Sequence, residues 1–192
     1  MRIAGLILAA GQSSRFGSDK RQAVLPDGRS MLDAVVAQYT EVFDVVWLVV
    51  GPLDAFAPDV AKRHGAQCLV NEQAGLGMGH SLACGAKTLL THMDVTGVVV
   101  GLADMPAIAS ETLLALRQAL SMRSQAVVPV YRGQLGQPRG LPRSCFAALC
   151  QLTGDQGARQ LLDWHQVEAI HVDDPGVLLD VDRPQDLAKL RS

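Results

Sequence analysis

The sequence predicts an open, mostly parallel α/β sheet with helices on both faces. Three observations lead there. Short β-branched runs recur along the chain, and segments of helical spacing lie between them. Several runs, among them VVWLVV and GVVVGLA, are apolar throughout. Strands without polar alternation are buried on both faces, as in parallel sheets covered by helices. Regular strand–helix alternation is how such sheets are built.

Strands are expected over Arg2–Ala9, Val45–Val50, Gln67–Val70, Gly97–Gly101, Gln125–Val130 and Val167–Val172. After the first, Ser30 is positioned to cap a helix with Leu32, Val35, Val36 and Tyr39 on one face. Further helices are expected over Leu53–His64, His80–Leu90, Ser110–Ser121, Arg143–Leu152, Asp155–Trp164 and Pro184–Leu190. Ser110 reads as the cap of an amphipathic helix bearing Leu113, Leu114, Leu116 and Leu120. Pro184 suits a first helical turn. No composition break, repeat or linker interrupts the pattern, so residues 1–192 are expected to form one domain.

The bulk numbers exclude several classes. The chain has 192 residues, 48% hydrophobic and only 19% charged, which excludes a disordered chain. Seventeen basic against 19 acidic residues give a net charge of −2, so there is no general field for nucleic acid. Any anion site must be local. Cys68, Cys84, Cys145 and Cys150 form no C-x-x-C pair, and no histidine cluster completes a zinc pattern. They read as structural thiols in a reducing compartment. The apolar run from Ile3 is too short for a signal peptide, and the run Val95–Met105 is too short to span a bilayer. A cytoplasmic protein without membrane contact is expected, and its size suits a monomer.

Chemistry is expected beyond the C-terminal ends of the strands. There, LAAGQSSRFGSDK follows the first strand directly. Gly11 and Gly17 let backbone N–H groups approach an anion. Ser13 and Ser14 add hydroxyl donors, and Arg15 and Lys20 can neutralise a polyphosphate. The competing reading is an ordinary polar loop with solvated cations. Neither G-x-G-x-x-G nor G-x-x-x-x-G-K-[ST] is present, which argues against a dinucleotide dehydrogenase and a P-loop. In GLADMP, Asp104 ends the strongest buried strand; it could hold Mg²⁺ or simply serve a turn. In LLDVDRPQDL, Asp180 and Asp182 alternate along an extended segment, and Asp182 could hold metal or cap the last helix. A cationic loop with two strand-end carboxylates is a nucleotide–metal constellation, more specific than any of its members.

These residues carry a resemblance. LAAGQSSRFGSDK is similar to the signature L-A-[AG]-G-x-S-x-R-[MF]-G-x-x-K of the nucleotidyltransferases that attach a nucleotide to the molybdenum cofactor, and every fixed position is present. GLADMP resembles that family's metal motif, LTGDQGARQLL its G-D-x-G-A-R segment, and DVDRPQDL its terminal D-[IV]-D-x-P-x-D-L. The match runs in order from Leu8 to Leu187. It implies a Rossmann-like fold of the nucleotide-diphospho-sugar transferase type. Two segments depart from the pattern. GQPRGLP puts Arg139 and Gly140 where an apolar strand would continue, so Arg139 must face the cleft or end the strand early. GMGHSL replaces two serines with Gly79 and His80. His80 reads as a surface or first-turn helix residue, since phosphoryl transfer mainly needs charge and alignment.

The resemblance implies a Mg²⁺-dependent transfer of a nucleotide to the terminal phosphate of molybdopterin, with release of pyrophosphate. Lys20, Arg15 and Asp104 would be catalytic, and Asp104 and Asp182 would hold the metal. Leu8, Ala9, Ala10, Gly11, Ser13, Ser14, Arg15, Lys20, Gly77, Gly79 and Ser81 would bind the nucleotide. Members that transfer guanylate typically read L-A-G-G, and those that transfer cytidylate L-A-A-G. Ala10 therefore implies CTP, because its Cβ takes up space a purine would need. A recipient molybdenum hydroxylase or its insertion chaperone would receive the product. The alternatives are a related transferase using GTP or another phosphorylated acceptor, and a non-catalytic nucleotide-binding regulator.

Overall fold

The computed structural model describes residues 2–11, 16–162 and 166–191. Its elements, in chain order, are β1 (Arg2–Leu8), α1 (Met31–Val42), β2 (Val46–Val50), α2 (Ala57–His64), β3 (Gln67–Val70), α3 (Met78–Thr91), β4 (Val95–Leu102), α4 (Ser110–Met122), β5 (Val127–Tyr131), β6 (Gln134–Leu135), β7 (Arg139–Pro142), α5 (Phe146–Leu149) and β8 (Glu168–His171). Eight strands form one sheet in the order β3-β2-β1-β4-β7-β5-β6, with β8 also paired to β5. The β3-β2-β1-β4 half is parallel. β7 runs antiparallel to β4 and β5, and β6 antiparallel to β5, while β8 is parallel to β5. This is the expected open α/β sheet, of the nucleotide-diphospho-sugar transferase fold.

Alternation along β1 sends side chains to two cores. Ile3 and Ile7 pack with Leu32, Val35, Val36, Val60, Leu113 and Leu116 of α1, α2 and α4. Ala4, Leu6 and Leu8 pack with Leu82, Ala86 and Leu89 of α3 and with Phe146 and Leu149 of α5. Helices therefore cover both faces. A third cluster joins Leu25, Met31 and Ala34 to Val181, with Leu187 and Leu190 against it. It lays the C-terminal segment along the start of α1, close to the ends of β1 and β4.

Several expected bounds change. Ser30 does cap α1, its Oγ accepting from Asp33 N at 3.2 Å. Ser110 does not cap α4. The cap position is Ala109, and Asp174 reaches in from elsewhere, accepting from Ala109 N (2.9 Å) and Thr112 Oγ1 (2.7 Å). α2 starts at Ala57 rather than Leu53, because Asp54 Oδ1 accepts from Phe56 N and Ala57 N and holds the chain open before it. The expected helix Arg143–Leu152 is a 3₁₀ turn (Arg143–Cys145) followed by the single turn α5. The segment expected as Asp155–Trp164 holds a 3₁₀ turn at Ala158–Leu161, and Trp164 lies outside the described residues. Pro184–Arg191 is 3₁₀ rather than α. GQPRGLP keeps its strand: Arg139 opens β7, paired with Val100 of β4.

Candidate active site

The parallel strands deliver their C-terminal ends to one edge of the sheet. A cleft of about 440 Å³ opens there, in the range of small-ligand sites. One wall is the end of β1 and its continuation, Leu8 to Gly11. That backbone is pinned from both sides: Ala9 N donates to Val49 O (2.8 Å), and Ala103 N donates to Leu8 O (3.1 Å). Leu102, Ala103 and Asp104 supply the adjoining wall.

Lys20 stands on a 3₁₀ turn (Lys20–Gln22) begun by Asp19, whose side chain accepts from Arg21 N. Its Nζ donates to Asp104 Oδ2 (2.7 Å) and to Asp182 Oδ1 (3.0 Å). Burial alone would depress the lysine pKa; the two carboxylates outweigh it and hold the ammonium above its ordinary range. Asp182 is carried here by backbone: Val181 N donates to Asp104 O at 2.9 Å. From inside the last segment, Asp186 Oδ2 reaches back and accepts from Asp182 N and Arg183 N, which fixes the backbone that carries Asp182. Asp180 is exposed and outside this cluster.

Asp104 has one oxygen on Lys20. Its other oxygen, Oδ1, is buried and accepts no hydrogen bond from the described residues. An orphaned carboxylate oxygen beside a second carboxylate suits a hard cation. Among the described residues no group of three or more His, Cys, Asp or Glu side chains is set to hold a metal ion. Two carboxylates fit Mg²⁺, which is commonly held by one or two and completes its shell with water and substrate phosphates.

The opposite wall is the start of α3. Gly77, Met78 and Ser81 line the cleft, and α3 begins there with no side-chain cap. Ser81 is 5% exposed, and its hydroxyl accepts from Asn71 Nδ2 at 3.1 Å. Gly79 is a different case: it does not line the cleft. A Cβ there would lie 2.6 Å from Thr153 O, and its N–H donates to Gly154 O at 2.8 Å. At Gly77, φ is +113° and a Cβ would lie 2.3 Å from Gly154 O. The two glycines thus let the 153–155 segment close on α3, which brings Asp155 to the cleft. His80 is turned away, its Nδ1 paired with Gln73 Oε1 at 3.0 Å.

Of the expected residues, the structure brings together Leu8, Ala9, Ala10, Gly11, Lys20, Gly77, Ser81, Asp104 and, through Lys20, Asp182. Ser13, Ser14 and Arg15 lie outside the described residues. Among the cleft residues that were not anticipated, Arg21 and Asp155 are the charged ones; Ala74–Leu76 supply a further, apolar stretch of wall. Arg21 had the signal of adjacency to Lys20, and Asp155 that of the GDQGAR segment.

The MobA-like NTP transferase domain family matches residues 5–170. The chain belongs to that family. It is a nucleotidyltransferase by family. "Purine catabolism protein PucB" of Bacillus subtilis (strain 168) is 32% identical, over 98% of this chain and 96% of PucB. A Chloroflexus aggregans (strain MD-66 / DSM 9485) protein named "Probable molybdenum cofactor guanylyltransferase" is 31% identical, over 92% of this chain and 81% of that one. The crystal structure of Rv0371c from Mycobacterium tuberculosis H37Rv superposes with a TM-score of 0.79 at 30% identity, covering 100% of this chain and 98% of that one. Rv0371c has also been solved in complex with manganese (TM-score 0.77, 28% identity, 99% and 98% covered). No helix among the described residues is long and apolar enough to cross a membrane.

Proposed function

We propose that the chain transfers CMP from CTP to the terminal phosphate of molybdopterin and releases pyrophosphate. The observation that carries this reading is the Lys20 ammonium held by the strand-end carboxylates Asp104 and Asp182, beside a cleft walled by Leu8–Gly11. An oxygen of the acceptor phosphate attacks the α-phosphorus, a new P–O bond forms, and the bond to the β-phosphate oxygen breaks. The acceptor phosphate, with a second pKa of about 6, is largely ionised near neutral pH, so no strong base is needed. The difficulty is to bring two anions together.

The chain's own groups address that difficulty. The cleft backbone at Ala9–Gly11 positions the nucleotide. Lys20 offsets charge on the triphosphate and on the leaving pyrophosphate, and Arg15 is proposed to act with it. Asp104 and Asp182 would hold Mg²⁺, which when bound supplies Lewis-acid neutralisation of phosphate charge. A mere nucleotide binder has little use for both carboxylates. The product is proposed to pass to a molybdenum hydroxylase or its insertion chaperone. A second reading, GTP as donor, is favoured by the guanylyltransferase name of the Chloroflexus relative; Ala10 in the cleft wall favours CTP.

The test is a screen of the four ribonucleoside triphosphates with purified molybdopterin and Mg²⁺, reading pyrophosphate. Release with CTP well above the other three supports the reading. Release with GTP foremost moves the assignment to guanylyl transfer, and no release with any removes the proposed acceptor.

A further inference from the structure

Arg21 ties three pieces of the chain to one guanidinium. Its Nε and Nη2 donate to Asp19 Oδ1 and Oδ2, each at 2.8 Å. Its Nη1 donates to Ala9 O at 2.8 Å and to Asp54 Oδ2. Asp54 in turn holds the first turn of α2 through its other oxygen. The Asp54 side chain is only 4% exposed and does not line the cleft.

The Ala9 carbonyl is where this matters. Sheet hydrogen bonds fix the β1 backbone as far as Ala9 N. Beyond it lie Ala10 and Gly11, the wall on which the nucleobase is proposed to rest. Arg21 continues the restraint one group further, and its planar fork reaches four acceptor atoms of three partners from three separate nitrogens, whereas an ammonium has three donors on a single nitrogen. We infer that Arg21 is a positioning residue for the nucleobase wall, with Asp54 as its anchor. This rests on the reading of the cleft as a nucleotide site. Arg21 fixes Ala9 O and thereby the place of Ala10; loss of the anchor loosens the wall under the base and leaves the phosphate side, at Lys20, in place.

Asp54→Asn isolates the effect. An asparagine Oδ1 still accepts from Phe56 N and Ala57 N, so the α2 cap is kept. Its amide faces Arg21 with a donor where the arginine needs an acceptor. The experiment measures Kd by calorimetry on the full chain for CTP and for inorganic tripolyphosphate, which has no base. In Asp54→Asn the Kd for CTP is expected to rise at least fivefold, while that for tripolyphosphate stays within twofold of wild type. Arg21→Lys should shift CTP in the same direction and further, and Asp59→Asn, on the exposed side of α2, should shift neither ligand. Equal weakening of both ligands in Asp54→Asn, or weakening of neither, overturns the inference. Because the readout is binding, a wild type that binds CTP but releases no pyrophosphate with molybdopterin defeats the proposed reaction and leaves this inference standing. A wild type that binds neither ligand defeats both.

Discussion

In one half of the sheet, β3, β2, β1 and β4 run parallel; in the other, β7 and β6 run against their neighbours in short strands of four and two residues. The central parallel strands are buried on both faces and, apart from Arg2 at the exposed start of β1, carry charge only beyond their C-terminal ends. Asp104 follows β4, and Lys20 lies in the connection after β1. In the second half charge enters the strands themselves, at Arg139 and Glu168. The comparison teaches a division of labour. The parallel half builds a dry frame that aims groups at one edge; the second half and the C-terminal segment bring in a further wall and Asp182. The two meet where Val181 N donates to Asp104 O.

The sharpest way to break this comparison is at the shared carboxylates. Asp104→Ala and Asp182→Ala should each lower turnover at least tenfold, about 1.4 kcal/mol or more in activation free energy. Asp104 should matter more, because its side chain is the less exposed of the two and one oxygen is an orphan. Steady-state pyrophosphate release checks this, with circular dichroism to show that the fold is kept. Turnover near wild type in either variant removes that residue from the site.

Next in size is the wall made by α3 and the 153–155 segment. Gly77→Ala places a Cβ against Gly154 O at a backbone angle that side chains rarely adopt. It should cost about 1–3 kcal/mol of stability and raise KM for the nucleotide. Chemical denaturation measures the first, and initial rates the second. Gly79→Ala should destabilise comparably with less effect on KM, since Gly79 packs behind the cleft.

The phosphate side is tested by Lys20→Ala against Lys62→Ala. Lys62 is exposed on α2, so kcat/KM should fall severalfold or more in the first and stay unchanged in the second. Equal small effects would return the loop to an ordinary solvated one. The pH dependence follows from the same contact. Lys20 is held above its ordinary pKa of 10.5, so its ion pairs contribute stability fully below that pH. The contribution is lost as pH rises through the raised value. The stability gap between wild type and Lys20→Ala should therefore narrow only above about pH 10.5, as read from urea midpoints at a series of pH values.

Smallest is the base itself. Ala10→Gly should narrow a preference for CTP over GTP without inverting it, because one methyl group is worth roughly 1–3 kcal/mol in a pocket. Ratios of kcat/KM for the two nucleotides in wild type and variant measure the change.

How far the sequence could be read follows from the same division. Apolar runs such as VVWLVV announce buried parallel strands whatever their neighbours are, so all six expected strands appear within about two residues of their expected bounds. β6 and β7 escaped because their pairing is tertiary: two residues carry no period, and a proline precedes Arg139. The helix caps show a similar limit. Ser30 caps locally and was legible, whereas α4 draws on Asp174, over sixty residues away. In the cleft, the places of Lys20 and Asp104 at one edge of the sheet were legible from their positions after strands, and the Leu8–Gly11 wall from the motif, whereas the Ala74–Leu76 and Asp155 wall was not. The contact of Asp182 with Lys20 required the C-terminal segment to lie along α1, which no local pattern announces. Gly79 was implied as a ligand contact by the resemblance alone, and a motif position does not tell room for a ligand from room for Thr153.

The central claim is that this cleft moves a nucleotide onto molybdopterin. The direct measurement is transfer of label from [α-³²P]CTP to purified molybdopterin in the presence of Mg²⁺, in wild type and in Asp104→Asn. The account predicts labelled molybdopterin and one pyrophosphate per label in wild type, with at least tenfold less of both in the variant, about 1.4 kcal/mol. Pyrophosphate without labelled acceptor, or equal labelling in the two proteins, would contradict it.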